Sequence, residues 1–170
     1  MSRLKCSLLG VIVTIMALFT GSHAFANIFG LFNKDDFLLS APIKGVLLDN
    51  GVPVVNTKVI RSLTYGDEYI DETITNDDGF FAFDEKRIHT SKKSNIFDND
   101  ALIQHVYLEN GTPEGIVLWY AGISIYENSE TLRELLNGLR CDVAKKPHTY
   151  DVPIKEALDH YFTIYGACEL

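Results

Sequence analysis

Ile116-Val117-Leu118-Trp119-Tyr120-Ala121-Gly122-Ile123-Ser124-Ile125-Tyr126 is the stretch that decides the fold class. Val117, Trp119, Ala121, Ile123 and Ile125 fall on one face at a period of two, the repeat of a strand with one buried side. Just upstream, Ala101–Leu108 alternates in the same way, and Glu109–Gly115 supplies a turn through Asn-Gly, Pro and Gly. Downstream the period changes. Ser129 is a helix cap candidate with Glu130 at the positive end, and Leu132, Leu135, Leu136 and Leu139 follow at helical spacing. Gly138 keeps that helix short. His148–Val152 and Tyr161–Ala167 read as strands and Ile154–His160 as a second short helix.

The N-terminal half reads as short strands separated by turns. Asn27–Ser40 is a mixed lead-in. Ile43–Leu48 is a strand, and Asn50-Gly51 after it is the strongest two-residue hairpin signal, because both residues tolerate positive φ. Val52–Val55 resumes the apolar pattern, with Pro53 marking an edge or a bulge. Thr57–Thr64 is β-rich, and Tyr69–Thr75 places Ile70 and Ile74 on one face. Asn76-Asp77-Asp78-Gly79 is a turn, Phe80–Phe83 alternates, and Ile88–Asp100 reads as a polar loop. About seven short strands with a turn every eight to twelve residues predict an all-β sandwich with one or two short helices in its C-terminal half.

Composition narrows the function. With 170 residues, 46% hydrophobic and 22% charged, the chain is neither disordered nor a multidomain enzyme. Residues 1–26 have the parts of a cleavable secretory signal: Arg3 and Lys5, an apolar run over Leu8–Phe19, and Ala24-Phe25-Ala26 before Asn27. The expected mature domain is therefore 27–170, in the periplasm of a Gram-negative bacterium, with no membrane insertion after cleavage. The net charge of −8 becomes −10 once Arg3 and Lys5 leave. Such a surface is a poor match for nucleic acid, whose affinity comes largely from Lys and Arg neutralising phosphates. Cys6 leaves with the signal. Cys141 and Cys168 remain, and an even count in an exported chain predicts a disulfide closing a 28-residue loop.

Ile43-Lys44-Gly45-Val46, then Asn50-Gly51-Val52-Pro53-Val54, then Val59, then Thr75-Asn76-Asp77-Asp78-Gly79-Phe80-Phe81-Ala82-Phe83 resembles the transthyretin-like, or carboxypeptidase regulatory-like, domain family. That family's pattern is a G-x-V strand, a turn into G-x-P-V, a valine-bearing strand and a T-D-x-D-G-x-F-x-F hairpin. The resemblance covers about 40 residues, Ile43–Phe83, and departs from the pattern at Asn76, where the family often has Asp. From Ala101 onward, Trp119 and the two late cysteines resemble small exported bacterial proteins that carry this module without an assigned activity. The resemblance implies a seven-stranded Greek-key sandwich and does not imply catalysis.

No catalytic constellation emerges. Asn76-Asp77-Asp78-Gly79 has Arg87 where a calcium loop needs its twelfth-position Glu, so turn chemistry is the better reading. Asp98-Asn99-Asp100 does have Glu109 at the twelfth position, but Ile103 stands at the sixth, where the loop needs glycine, and the run between reads as a strand. His89, His105, His148 and His160 make no H-x-H or H-E-x-x-H pattern. Transthyretin-fold enzymes that hydrolyse 5-hydroxyisourate end in a Y-R-G-S tetrapeptide. Here the end is Tyr165-Gly166-Ala167-Cys168-Glu169-Leu170. Ser124 lacks the second glycine of a nucleophile elbow. No cofactor or metal is expected, and the chain does not read as an enzyme.

Three features invite a binding role. Arg61 shares a strand face with Val59 and Leu63, so it either meets a partner or is neutralised by an acid within the sheet. Tyr120 and Tyr126 lie opposite Trp119, which makes them either an exposed aromatic surface or the floor under the Ser129–Leu139 helix. Asp67, Glu68, Asp71 and Glu72, with Tyr69 between them, form the expected acidic contact surface. The expected partner is another exported protein, such as a basic toxin or hydrolase, and an immunity protein is the most concrete form. A structural or adhesion module of the envelope and a carbohydrate-binding module are the alternatives.

Overall fold

The computed structural model describes residues 35–90, 102–110, 115–123 and 130–169. The chain falls into two compact units: residues 36–88 with 94–170, and residues 1–35 with 89–93. In the smaller unit the described residues are Asp35, His89 and Thr90, all in extended conformation. The expected signal at 1–26 lies outside the described residues, as do Ser124, Tyr126, Ser129 and Asp98-Asn99-Asp100.

The larger unit is an all-β sandwich with one short helix. In chain order the described elements are β1 (Asp35–Ser40), β2 (Ile43–Asp49), β3 (Val52–Pro53), β4 (Lys58–Tyr65), β5 (Asp67–Ile74), β6 (Phe80–Phe83), β7 (Lys86–Thr90), β8 (Leu102–Leu108), β9 (Ile116–Ile123), α1 (Glu130–Leu136), β10 (Leu139–Asp142), β11 (His148–Pro153), β12 (Tyr161–Gly166) and β13 (Cys168–Glu169). One sheet has the order β11-β12-β9-β8-β4-β5, with antiparallel neighbours throughout. The other runs β13-β10-β2, and both β3 and β6 pair with the far side of β2. Its β10–β2 pairing is parallel. β1 and β7 form a separate two-stranded ribbon.

The inner faces meet over Ile43, Leu47, Phe81, Val106, Trp119 and Ile164, each essentially sealed from solvent. The period-two reading of β9 holds for Trp119, Ala121 and Ile123. It shifts at Leu118, because Val106 pairs with Trp119 while Tyr107 pairs with Val117. The extra residue is a β-bulge, and Leu118 is buried beside Trp119.

The Asn50-Gly51 turn forms as expected. Both residues have positive φ, 51° and 80°, and Leu48 and Asp49 pair with Pro53 and Val52 across it. Pro53 sits at the sheet edge, where its missing N–H costs no ladder bond. Asp142 anchors this turn from β10, its carboxylate accepting the N–H groups of Asn50 and Gly51, each at 3.0 Å. In the Asn76–Gly79 turn, Asn76 Oδ1 accepts the N–H groups of Asp78 and Phe80, while Asp77 and Asp78 are exposed. Gly79 takes φ 72°, and a Cβ there would stand 2.5 Å from the Leu47 carbonyl oxygen. Cys141 and Cys168 are bonded and sit directly opposite each other on β10 and β13.

Some expectations need correction. The described residues hold thirteen strand segments, eleven in the two sheets of the sandwich and two in the ribbon, where about seven strands are expected from the sequence. Asp35–Ser40, read as a mixed lead-in, is β1, and the start of the supposed loop from Ile88 is β7, where Ile88 packs on Leu39, Leu63 and Leu102. Ile154–His160 is a pair of turns, not a helix. Ala157 donates to the Ile154 carbonyl and His160 to the Ala157 carbonyl, Leu158 is exposed and Asp159 has φ 63°. Ile154 and Ala157 reach the core while Leu158 is left in water, and so short a segment with two such side chains has too little to hold a helix together. It instead presents Glu156 to α1, whose Thr131 N–H and hydroxyl donate to the carboxylate at 2.8 and 2.5 Å.

Candidate binding face

Alternation along β4, β5, β8, β9 and β12 sends every second residue away from the core, so the pairing register determines what the outer face of the six-stranded sheet presents. One transverse row runs Thr149–Tyr165–Tyr120–His105–Ser62–Ile70 across all six strands. Tyr107 and Ile60 stand in the adjoining row. His105 stacks on Tyr107 with ring centroids 4.5 Å apart and meets Tyr120 edge-on at 5.7 Å. Tyr120 and Tyr165 are about 40% exposed, and Tyr161, Ile70 and Ile74 more than half exposed. Side chains of this size left in water on one face mark an interaction surface more often than a neutral one.

His105 is the most constrained member. Its Nε2 is buried without a hydrogen-bond partner among the described residues. Burial pushes the imidazole below its ordinary pKa of 6.5, and the Glu68 carboxylate opposes this. Burial thus favours the neutral imidazole over the charged one. Glu68 accepts the Ser62 hydroxyl at 2.7 Å, which fixes it beside the row.

The helix does not cover this face. The buried Leu132 and Leu136 of α1 join the main core, and the helix packs toward β2 of the other sheet. Tyr120 is therefore surface rather than the floor under a helix. The face was only partly legible in the sequence: Tyr120 is singled out there, but His105, Tyr107, Tyr161 and Tyr165 are not. The signal for them was the same period of two, read on the polar side. Ile103, His105 and Tyr107 alternate with Leu102, Gln104, Val106 and Leu108, and Tyr161, Thr163 and Tyr165 with Phe162 and Ile164.

The acidic stretch on β5 divides between the two faces. Asp71 lies opposite Arg61 and binds it through both carboxylate oxygens, at 2.8 and 2.6 Å. Arg61 is 1% exposed, donates also to the Asp84 carbonyl at 2.9 Å, and lies 4.8 Å over the Phe83 ring. It is a structural ion pair, so Asp71 is committed to the fold. Tyr69 is half-buried against Leu39, Leu63 and Leu102. Glu68 and Glu72 project outward beside Ile70, and Asp67 is exposed at the start of the strand. Glu72 shares Lys58 with Glu109, at 3.3 and 3.2 Å. Of the expected contact residues, Glu68 and Glu72 border the aromatic row.

His89, His148 and His160 are exposed. Among the described residues no group of three or more His, Cys, Asp or Glu is placed to hold a metal ion. No helix among them is long and apolar enough to cross a membrane.

Comparison with curated proteins gives no match, and comparison with solved structures gives none. The family comparison does match, over residues 43–146, a span from β2 through β10 that takes in His105, Tyr107, Tyr120 and Cys141 and stops before Tyr161, Tyr165 and Cys168. The chain belongs to the family described as a domain of unknown function, DUF6795.

Proposed function

We propose that this protein is a non-catalytic binding module of the periplasm and that it holds another exported protein against the outer face of its six-stranded sheet. The observation that carries this reading is the cross-strand row Tyr165–Tyr120–His105–Ser62–Ile70, in which Tyr165, Tyr120 and Ile70 are exposed around the half-buried His105. Tyrosine supplies large contact area at low entropic cost and is enriched in interface hot spots. Ile70 and Ile74 favour a protein over a glycan, because aliphatic side chains offer no ring for a sugar to stack on. Glu68, Glu72 and the acidic composition suit a basic partner, as complementary fields speed encounter and select among candidates. An immunity protein bound to an exported antibacterial effector is the most specific version. The transthyretin-like motif order at Ile43–Phe83, set on a two-sheet sandwich, supports membership of that architecture, which serves binding as readily as catalysis.

A tagged Asn27–Leu170 chain, incubated with native periplasmic extract at low and high salt, tests this directly. The reading expects one stoichiometric basic protein, released by salt and lost from a Tyr120→Glu, Tyr165→Glu variant that retains its melting curve. Capture of the same protein by that variant places the interface elsewhere. Recovery of glycan or cell-wall fragments alone favours the carbohydrate or envelope module.

A further inference from the structure

The second feature lies on the opposite sheet and does not depend on the binding face. A cavity of about 300 Å³ opens on the outside of the five-stranded sheet, lined by Lys44, Val46, Phe80, Asn137, Gly138 and Arg140. The register explains the grouping. Arg140, Val46 and Phe80 are consecutive Cα partners across β10, β2 and β6, and Lys44 precedes Val46 by two residues, on the same face. At ordinary strand spacing the Cα atoms of Lys44 and Arg140 stand roughly 8 Å apart, and those of Arg140 and Phe80 roughly 10 Å. Both cations can therefore reach one anionic group while Phe80 flanks whatever carries it.

Charge sets this cavity apart. In an acidic chain most cations find an acid, and here Lys58, Arg61, Lys86, Arg87, Arg133, Lys145 and Lys155 all do. Among the described residues Lys44, Arg140 and Lys146 are the cations with no acid at ion-pair distance, and two of the three line this cavity. The acid opposite Arg140 in register, Glu169, is bonded to Lys145 at 2.5 Å and feels Arg140 only through space, as the least of its cationic neighbours. Phe80 is 39% exposed beside them. Gly138 completes the arrangement. Its φ is not positive and a Cβ built on it meets no atom within 4 Å, so neither the backbone nor the packing requires glycine there. Its effect is to leave the mouth open.

We propose that this cavity is a binding site for a carboxylate carried on a flat apolar body, with Arg140 and Lys44 holding the carboxylate and Phe80 the body. The planar guanidinium matches a carboxylate in two-pronged geometry, Lys44 adds a mobile point charge, and the volume lies at the small end of ligand pockets.

Benzoate is the probe, titrated into the folded domain while backbone amide resonances are followed. Saturable shifts centred on Val46, Gly138, Leu139 and Arg140 are expected. Affinity should fall roughly tenfold or more in Arg140→Gln and in Lys44→Gln, the loss of one charge-assisted contact. Gly138→Trp should block the site without touching the core. Because it leaves both cations in place, it tests the site independently of any effect of the charge variants on folding. Benzamide tests the charge and inorganic phosphate the apolar body, and both should bind markedly more weakly. Equal binding of benzamide or phosphate, shifts that persist in Gly138→Trp, or no saturable shift at these amides would overturn the proposal.

Discussion

Arg61 and Asp71 are cross-strand partners on β4 and β5, and the guanidinium, sealed inside the sandwich, meets both oxygens of the carboxylate. An arginine in that position is tolerated only because its charge is matched and its remaining donor capacity is used by the Asp84 carbonyl and the Ser40 hydroxyl. Removing the acid leaves an uncompensated buried cation. Asp71→Ala should therefore lower the unfolding free energy by about 3 kcal/mol, since breaking such a pair costs far more than forming it contributes. Glu72→Ala, one residue along on the exposed face, should change it by no more than about 0.5 kcal/mol. Urea denaturation of both variants makes the comparison. Equal effects would mean that the Arg61 pair is not the buried anchor described here.

The cystine joins the last short strand to β10, and β10 in turn lies on β2 in the core. Cys141→Ser should lower the melting temperature by at least about 5 °C, because the chain-entropy model assigns roughly 3.5 kcal/mol to a loop of this length. Scanning calorimetry of the variant beside the oxidised parent checks it. An unchanged melting curve would show that the bridge adds nothing.

Gly79 is fixed by φ 72° and by the Leu47 carbonyl oxygen, which a Cβ would approach to 2.5 Å. Gly79→Ala should cost about 1–3 kcal/mol. Gly51→Ala, also at positive φ but with open space around it, should cost less. Thermal melts of the pair separate the steric term from the backbone term. A smaller loss at Gly79 than at Gly51 would contradict the packing of that turn on β2.

Two groups set opposite pH limits. Burial lowers the His105 pKa in the folded chain, so near and below 6.5 the unfolded chain binds the proton more readily. Stability is then fully present above that pH and falls as the pH drops. Tyr150 behaves in the reverse sense. Burial raises its pKa to about 12, and its hydroxyl donates to the Cys168 carbonyl at 3.1 Å. The unfolded chain loses this proton first, so stability holds below about pH 10 and is lost as the pH rises toward 12. Urea midpoints of the parent and of His105→Gln, compared at about pH 5.5 and 7.5, should show a shallower slope in the variant. Tyr150→Phe should flatten the alkaline limb. Parallel slopes in either variant would remove that residue from the account.

The sequence carried the sandwich because its signals were local. The period of two in β8 and in β9 from Trp119 onward, the Asn50-Gly51 turn and the Asn76–Gly79 turn each act within a few residues, and tertiary context overrode them only at the Leu118 bulge. It missed what depends on distant pairing. β13 has two residues and exists because Cys168 lies opposite Cys141. β7 is polar at most positions and depends on Ile88 packing on Leu39 and Leu63. The candidate face followed the same division. Acidity drew attention to Asp67, Glu68, Tyr69, Asp71 and Glu72, yet composition could not tell that Asp71 faces Arg61 inward while Glu68 and Glu72 face out. The aromatic row joins residues as far apart in the chain as Ser62 and Tyr165, and only the six-strand register brings them together.

A partner, on this reading, sits on the row Tyr165–Tyr120–His105. Hydroxyl-radical footprinting of the tyrosines, with the purified domain alone and in native periplasmic extract, measures that most directly. Tyr120, Tyr161 and Tyr165 should become protected in the extract, the half-buried Tyr150 should not change, and salt should restore the free pattern. Unchanged labelling of Tyr120 and Tyr165, with protection appearing instead around Phe80 on the other sheet, would contradict it.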